Sequence, residues 1–262
     1  EVVFGHFRPT QATPSVPNRE GSNIYLSLCN DVIVHEVTHA ILDGLRERLG
    51  NRLIHVGGTD RAPAVAAARG ADAAVVVVGL SSVDEGESMI GVDTASTQLL
   101  GGIARFRVVA AAMVRIAARV ATLKKFGGDR RDLRLRAEDI ALVRAVAEVN
   151  ARTVVVVIGG GTIVLDPWDT DVAAVLLAWY PGMEGGRAVA DVLLGDAEPA
   201  GRLPMAIPRR QNDLPQVDWD AATVTYGRWL GQRKLDRDGV DAAYPLGFGL
   251  GYTTFDLVDL AV

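Results

Sequence analysis

The chain has 262 residues, of which 49% are hydrophobic and 23% charged, enough to bury a core of ordinary size. Its net charge of −5 argues against a nucleic-acid-binding protein, and its single cysteine excludes an internal disulfide. Because no apolar run reaches the roughly 18 residues of a membrane span, we expect a soluble protein without nucleic-acid or membrane partners. Basic charge carried by 24 Arg and 3 Lys favours a bacterial source, with a cytoplasmic or secreted location.

The N-terminal part of the chain is predicted to hold an irregular segment followed by one helix. Residues 1–24 are rich in Pro, Gly, Ser, Thr and Asn and show no period, which is typical of loops. Residues 30–49 place apolar side chains three and four positions apart, the spacing of an amphipathic helix. Asn30 or Asp31 suits the start of this helix, and Gly50 suits its end.

From residue 51 onward, strand and helix patterns alternate. Residues 73–80 and 153–158 are continuous apolar runs, typical of parallel strands that are covered on both faces. Further strands are predicted at 52–56 and 173–179, helices at 62–69, 98–122, 137–150 and 184–194, and loops with short strands toward the C-terminus. The alternation predicts an α/β fold, a doubly wound and mostly parallel sheet sandwiched by helices. We expect two units, residues 1–50 with the first helix and residues 51–262 with the sandwich.

An acidic loop follows the first of the buried strands. It carries Asp84, Glu85 and Glu87 within four positions. Ligand sites in open parallel sheets lie outside the carboxyl ends of the strands, which is where this loop begins. Grouped carboxyls at such a place suit general acid–base chemistry, and glycosidases use a carboxyl pair for that purpose. A solvated acidic loop without a catalytic role remains the alternative.

Three motifs in the second unit share one resemblance. Residues 178–208 have the sequence AWYPGMEGGRAVADVLLGDAEPAGRLPMAIP, residues 244–255 have YPLGFGLGYTTF, and residues 127–135 have GGDRRDLRL. In this order and spacing, the segment from about residue 51 to 262 resembles the α/β-sandwich domain of glycoside hydrolase family 3 β-glucosidases. The resemblance implies hydrolysis of a β-linked oligosaccharide or glycoside, without a cofactor.

The resemblance also assigns roles to individual residues. Glu85 of the Glu85-Gly86 pair corresponds to the general acid/base, and Glu87 on the same loop is the second candidate. Asp129 and Arg130, in the GGDRRDLRL motif, are expected either to pair and hold the acidic loop near the site or to bind the substrate sugar.

The nucleophile of such an enzyme is not expected in this chain. A retaining glycosidase needs a second carboxylate about 5–5.5 Å from the acid. In the family that this chain resembles, that aspartate belongs to a separate TIM-barrel domain, and no set of eight βα units precedes residue 51. Because the chain begins with Glu1 rather than Met, we expect a fragment or a processed product with little activity alone. A barrel domain is its expected partner.

The first helix carries a different motif, His35-Glu36-Val37-Thr38-His39. Two histidines four positions apart on a helix can bind zinc, with Glu36 as a general base for a zinc-bound water. This helix resembles the active-site helix of thermolysin-like metallopeptidases, but we find no third ligand in the sequence after it. The sequence therefore leaves two alternatives to a glycosidase domain, a zinc metallopeptidase fragment and a non-catalytic carbohydrate-binding module.

A glycine run, Gly159-Gly160-Gly161, follows the second buried strand. Glycine-rich turns at such positions bind phosphates through backbone N–H groups. No Lys-Ser/Thr pair and no complete G-x-G-x-x-G accompany this run, so the sequence gives little support to a nucleotide site.

Overall fold

The computed structural model describes residues 30–56, 61–80, 82–85, 130–218, 221 and 223–254, with side chains left out for 30–36 and for 82 and 83. The loop predicted at 1–24, the helix predicted at 98–122, and the candidate site residues Glu87 and Asp129 lie outside these ranges.

Helices and strands alternate through the described part of the chain. The helices are α1 (Asn30–Leu49), α2 (Arg61–Arg69), α3 (Ser82–Glu85), α4 (Ala137–Val149), α5 (Gly185–Leu194) and α6 (Gln232–Asp238). The strands are β1 (Ala74–Gly79), β2 (Thr153–Ile158) and β3 (Ala174–Leu177). Single turns of 3-10 helix occur at Gly50–Arg52, Asp169–Asp171 and Gln211–Asp213.

The three strands form one parallel sheet in the order β1-β2-β3. Ala74 pairs with Thr153 and Gly79 with Ile158, so β1 and β2 are matched along their whole length. Helices α2 and α4 pack together, and α1 packs against α5. The strands are therefore sandwiched between two helical layers, as the sequence predicts for an α/β fold.

Strand β2 contributes to a separate core on each face of the sheet. Val155 and Val157 belong to the core beneath α2 and α4, whereas Val156 and Ile158 belong to the core beneath α1 and α5. Burying both faces is what a continuous β-branched run achieves and an alternating one does not. The sequence-based interpretation of this strand is confirmed.

Helices α1 and α5 approach each other through small residues. A methyl group built on Gly186 would overlap the backbone carbonyl of Ala40, and one built on Gly44 would lie 3.0 Å from the Cβ of Ala190. At one edge of this contact Arg48 forms ion pairs with Asp191 at 2.5 Å and with Asp196 at 2.8 Å. The apolar face of α1 is thus covered by the sandwich.

The structure corrects two predicted elements. Residues 52–56 form no strand, because the chain leaves the 3-10 turn at Gly50–Arg52 as an extended segment that pairs with none of the three described strands, and Ile54 is 67% exposed. The C-terminal part, predicted as loops and short strands, contains helix α6. Side-chain bonds four positions apart, Gln232 to Asp236 and Lys234 to Asp238, support that helix.

None of the described helices is long and apolar enough to cross a membrane.

Replacing Gly186 by Ala should lower the free energy of unfolding by about 1–3 kcal/mol, because the added methyl would force α1 away from α5. Urea unfolding of the chain measures this change. Gly70→Ala is the matched control, since no atom lies within 4 Å of a methyl built there. Equal stability of the two variants would contradict the close helix contact.

Candidate functional site

The carboxyl ends of all three strands meet at one edge of the sheet. After β1 the chain passes Leu80 and enters α3, which ends at Glu85. After β2 it forms the glycine run at 159–161, and after β3 it passes Trp179 and Tyr180. Polar groups from three segments that are distant in sequence are therefore brought together where parallel sheets place their ligand sites.

The side chain of Glu85 lies at the centre of this edge and is 8% exposed. Its Oε1 atom accepts a hydrogen bond from the backbone N–H of Gly160 at 2.8 Å and another from the hydroxyl of Tyr180 at 2.7 Å. One carboxylate oxygen thus joins the segments that follow β2 and β3 to the segment that follows β1.

Arg130 faces the other oxygen of this carboxylate. Its Nη1 atom lies 4.0 Å from Oε2 of Glu85, and both side chains are about nine-tenths buried, at 10% and 9% exposure. Its Nη2 atom donates to the backbone carbonyl of Thr162. The Arg130 segment is held beside the glycine run by a parallel bridge between Arg134 and Val164. Glu85 and Arg130 thus form a buried ion pair, although the Nε and Nη1 atoms of Arg130 have no hydrogen-bond partner among the described residues.

Tyr180 is the third member of the cluster. Burial, together with the hydrogen bond to Glu85, raises the pKa of its phenol far above the ordinary value of 10. Its neighbour Trp179 has a φ of 54°, in the left-handed region that side chains other than glycine rarely adopt. Such a backbone conformation costs about 1–3 kcal/mol. It lies between the end of β3 and Tyr180.

The glycine run leaves the space that this cluster occupies. A methyl group on Gly160 would come within 2.8 Å of the Tyr180 ring and 3.6 Å of the Glu85 Oε1 atom. A methyl on Gly159 would come within 3.0 Å of Ile163. Within the run, the backbone N–H of Gly160 binds the carboxylate of Glu85.

Tyr244, the first residue of the YPLGFGLGYTTF motif, has a structural role. Tyr244 donates its hydroxyl hydrogen to Oδ2 of Asp169 at 2.8 Å, and its backbone pairs with Ile207 in an antiparallel bridge. Burial and the Asp169 carboxylate raise the pKa of Tyr244 to about 12. This contact joins the C-terminal segment to the sandwich.

The sequence-predicted site residues are thus partly located. Glu85 and Arg130 lie together, whereas Glu87 and Asp129 lie outside the described residues, so the expected pairing of Asp129 with Arg130 stays a prediction. Sequence reasoning missed Tyr180, although it directly follows a predicted strand, and it considered the glycine run that contains Gly160 only for binding a phosphate. The side chain of His39 is exposed, and those of His35 and Glu36 are not described. Within the described residues, no three His, Cys, Asp or Glu side chains are grouped as a metal site would require.

Comparison with known proteins identifies the family. Residues 13–252 match the Glycosyl hydrolase family 3 C-terminal domain. The chain belongs to this family.

Known relatives cover part of the chain and contain far more sequence than it does. A β-glucosidase of Rhizobium radiobacter is 44% identical over 138 residues, 49% of this chain and 17% of that protein. An exo-α-(1→6)-L-arabinopyranosidase of Bifidobacterium longum is 38% identical over 141 residues, 52% of this chain and 19% of that protein. The chain therefore spans less than a fifth of each of these relatives.

Solved structures share the fold. The β-D-glucoside glucohydrolase of Trichoderma reesei matches 82% of this chain and 27% of its own, with a TM-score of 0.63 at 26% identity. The family 3 β-glucosidase of Bifidobacterium adolescentis matches 82% of this chain and 28% of its own, with a TM-score of 0.60 at 27% identity.

The family match includes the helix that carries the HEVTH motif. The matched region begins at residue 13 and so contains α1, whose apolar face packs into the sandwich. These findings give no support to the resemblance to thermolysin-like peptidases or to zinc at His35 and His39. Fungal β-glucosidases, such as one of Aspergillus fumigatus, stand among the relatives, so the expected bacterial source gains no support either.

Tyr180→Phe should lower the free energy of unfolding by about 1–3 kcal/mol, because it removes a hydrogen bond to a charged and buried carboxylate. Urea titration at neutral pH measures the loss. Tyr226→Phe should change it by less than about 0.5 kcal/mol, since that side chain is 66% exposed. Similar values for the two variants would contradict the bond to Glu85.

Alkaline pH should destabilise the fold through Tyr244. Its pKa rises from the ordinary 10.0 to about 12 on folding, so the folded state holds the phenol proton more tightly. The stability that this provides is complete below pH 10 and is lost as the pH rises toward 12. Urea unfolding at pH 9 and at pH 11.5 should show a smaller loss for Tyr244→Phe than for the unmodified chain. An equal loss would contradict the Tyr244–Asp169 contact.

Proposed function

We propose that this chain is the sandwich domain of a retaining β-glucosidase-type glycoside hydrolase and that its acidic loop supplies the general acid/base. The observation that carries the proposal is the contact of Glu85 with the segments that follow β2 and β3, in a chain of family 3. Glu85 and Glu87 are the two carboxyls of this loop to which the family resemblance points.

The proposed reaction has two steps. The loop carboxyl gives its proton to the glycosidic oxygen while the bond from that oxygen to the anomeric carbon breaks, and a nucleophilic carboxylate bonds to that carbon. The loop carboxylate then takes a proton from water, whose oxygen displaces the nucleophile. The product sugar leaves, and both carboxyls return to their starting forms.

The nucleophile is assigned to a barrel domain outside this chain. In the described residues, the charged side chain that lies against Glu85 is the cation Arg130, whereas the reaction needs a second carboxylate. The chain also spans only 17% and 19% of its relatives in Rhizobium and Bifidobacterium longum, which leaves room for such a domain in proteins of that length.

The substrate class is a glycoside. The relatives are named as acting on β-glucosides and on α-(1→6)-L-arabinopyranosides, so both kinds of sugar belong in the first test. No observation of the described residues favours a peptidase or a non-catalytic binding module over this proposal.

The test joins this chain to a barrel domain and measures turnover of p-nitrophenyl β-D-glucoside and p-nitrophenyl α-L-arabinopyranoside. Replacing the acid/base by Gln should slow an alkyl glycoside by about 10²–10⁴-fold, because its leaving group needs a proton. A dinitrophenyl glycoside should lose far less, since that leaving group departs without one. Glu85→Gln and Glu87→Gln are compared in this way.

Glu148→Gln is the control variant, because that side chain is exposed near the C-terminal end of α4. It should keep both activities. If neither loop variant distinguishes the two leaving groups, or if the joined polypeptide turns over no glycoside, the proposed function is wrong.

A further inference from the structure

The carboxylate of Glu85 is held at one of its two oxygens. Its Oε1 atom accepts hydrogen bonds from the backbone N–H of Gly160 at 2.8 Å and from the hydroxyl of Tyr180 at 2.7 Å. An oxygen that already accepts two hydrogen bonds is the less favourable place for a proton, because the proton would displace one of the donors. A proton on this carboxyl group is therefore expected at Oε2.

The Oε2 end of the carboxylate has unused hydrogen-bonding capacity beside it. Nη1 of Arg130 lies 4.0 Å from Oε2, which is too far for a hydrogen bond. Among the described residues, the Nε and Nη1 atoms of Arg130 have no hydrogen-bond partner, although this side chain is only 10% exposed. Because buried polar groups usually find a partner, these unfilled positions mark the Oε2 end as the place where a ligand oxygen would bind.

The backbone on either side of Tyr180 fixes the direction of its hydroxyl. The preceding residue, Trp179, adopts a left-handed backbone, and the following residue, Pro181, restricts the backbone of the residue before it. Pro181 is in turn packed against Gly185, where a methyl group would overlap its ring. Burial and the bond to Glu85 raise the pKa of the Tyr180 phenol well above its ordinary value of 10.0. The hydroxyl therefore remains a hydrogen-bond donor at neutral and mildly alkaline pH.

We propose that Tyr180 is a positioning residue for the proton transfer, whose hydroxyl holds Oε1 of Glu85 so that Oε2 faces the glycosidic oxygen. This rests on the proposed function, with Glu85 as the general acid/base. In that reaction the proton leaves the carboxyl group for the glycosidic oxygen, and the carboxylate later takes a proton from water. Both transfers then pass through Oε2, while Tyr180 gives up no proton and acts through Glu85.

The test uses the chain joined to a barrel domain and compares kcat/KM, which reports formation of the glycosyl-enzyme, for an alkyl and a dinitrophenyl β-D-glucoside. For Tyr180→Phe we expect a loss of about 10-fold on the alkyl glucoside, because a misplaced acid transfers its proton poorly. The dinitrophenyl glucoside should lose less than about twofold, since its leaving group departs without a proton. A purely structural role would lower both values by the same factor.

The pH dependence of the same variant gives a second readout. The alkaline limb of kcat/KM on the alkyl glucoside reports the proton donor of the free enzyme. A hydrogen bond from Tyr180 favours the ionised carboxylate over the protonated carboxyl, so its removal should keep the donor protonated to higher pH. In Tyr180→Phe this limb should therefore move up by roughly half a pH unit to one unit.

Gly160→Ala perturbs the same contact while the phenol remains. The added methyl would come within 2.8 Å of the Tyr180 ring and would push its hydroxyl away from Oε1. This variant should reproduce the selective loss on the alkyl glucoside. The double variant should lose no more than the larger of the two single losses, because both changes break one hydrogen bond.

Tyr226→Phe and Gly70→Ala are the matched controls for these two variants. The side chain of Tyr226 is 66% exposed, and a methyl group on Gly70 would meet no atom within 4 Å. Both controls should keep the kcat/KM values of the unmodified polypeptide. Urea unfolding of every variant gives its folded fraction, so that loss of folded protein is separated from loss of rate.

Equal losses on the two glucosides, or an unmoved alkaline limb in Tyr180→Phe, would overturn the positioning role and leave the proposed function standing. If Glu85→Gln in an active joined polypeptide slows both glucosides equally, Glu85 is not the proton donor and Tyr180 positions none. If the joined polypeptide turns over no glycoside at all, the proposed function is wrong and the positioning role is wrong with it.

Discussion

The central strand β2 is the element on which the rest of this fold depends, because it is buried on both faces. Val155 and Val157 are packed under one pair of helices, and Val156 and Ile158 under the other. Each of these four side chains is at most 1% exposed. A strand that serves two cores fixes the two helical layers relative to each other, and close packing transmits that constraint to the loops beyond its end.

The described loop segments at the carboxyl edge of the sheet form an anion site next to this strand. Backbone N–H groups in a glycine run are free of side chains and so form a site for an anion. Here the anion comes from the chain itself, as the carboxylate of Glu85 on the neighbouring strand's loop. The Tyr180 hydroxyl donates a second hydrogen bond to this carboxylate, and the Arg130 guanidinium lies 4.0 Å from its other oxygen. Several contacts, rather than one close ion pair, therefore stabilise the buried carboxylate.

Much of the sandwich follows from the sequence, because strand runs and helix periods are local signals. The Val runs predict β1 and β2, and the helices at 62–69 and 137–150 are found within one residue of their predicted bounds. The candidate site is less accessible to such reasoning. Tyr180 is 95 residues from Glu85, and no local pattern announces a contact over that distance.

The predictions that failed depend on contacts between distant segments, which a local sequence pattern does not specify. Residues 52–56 have a strand-like composition, yet a strand forms only where a neighbour supplies hydrogen bonds, which local sequence does not specify. The glycine run has the composition of a phosphate-binding loop. The folded chain shows that the anion bound at Gly160 is the side chain of Glu85. The HEVTH spacing satisfies one local requirement of a zinc site, while the third ligand depends on what packs nearby.

The contact between α1 and α5 has a consequence for how the chain is made. The ion pair from Arg48 to Asp196 closes over a separation of 148 residues, so α1 leaves the ribosome long before its partner exists. At ordinary synthesis rates this delay is on the order of ten to thirty seconds. Throughout it the apolar face of Val37, Ile41 and Leu45 has no α5 to cover it. A chaperone that binds nascent apolar helices would therefore find a binding site at α1.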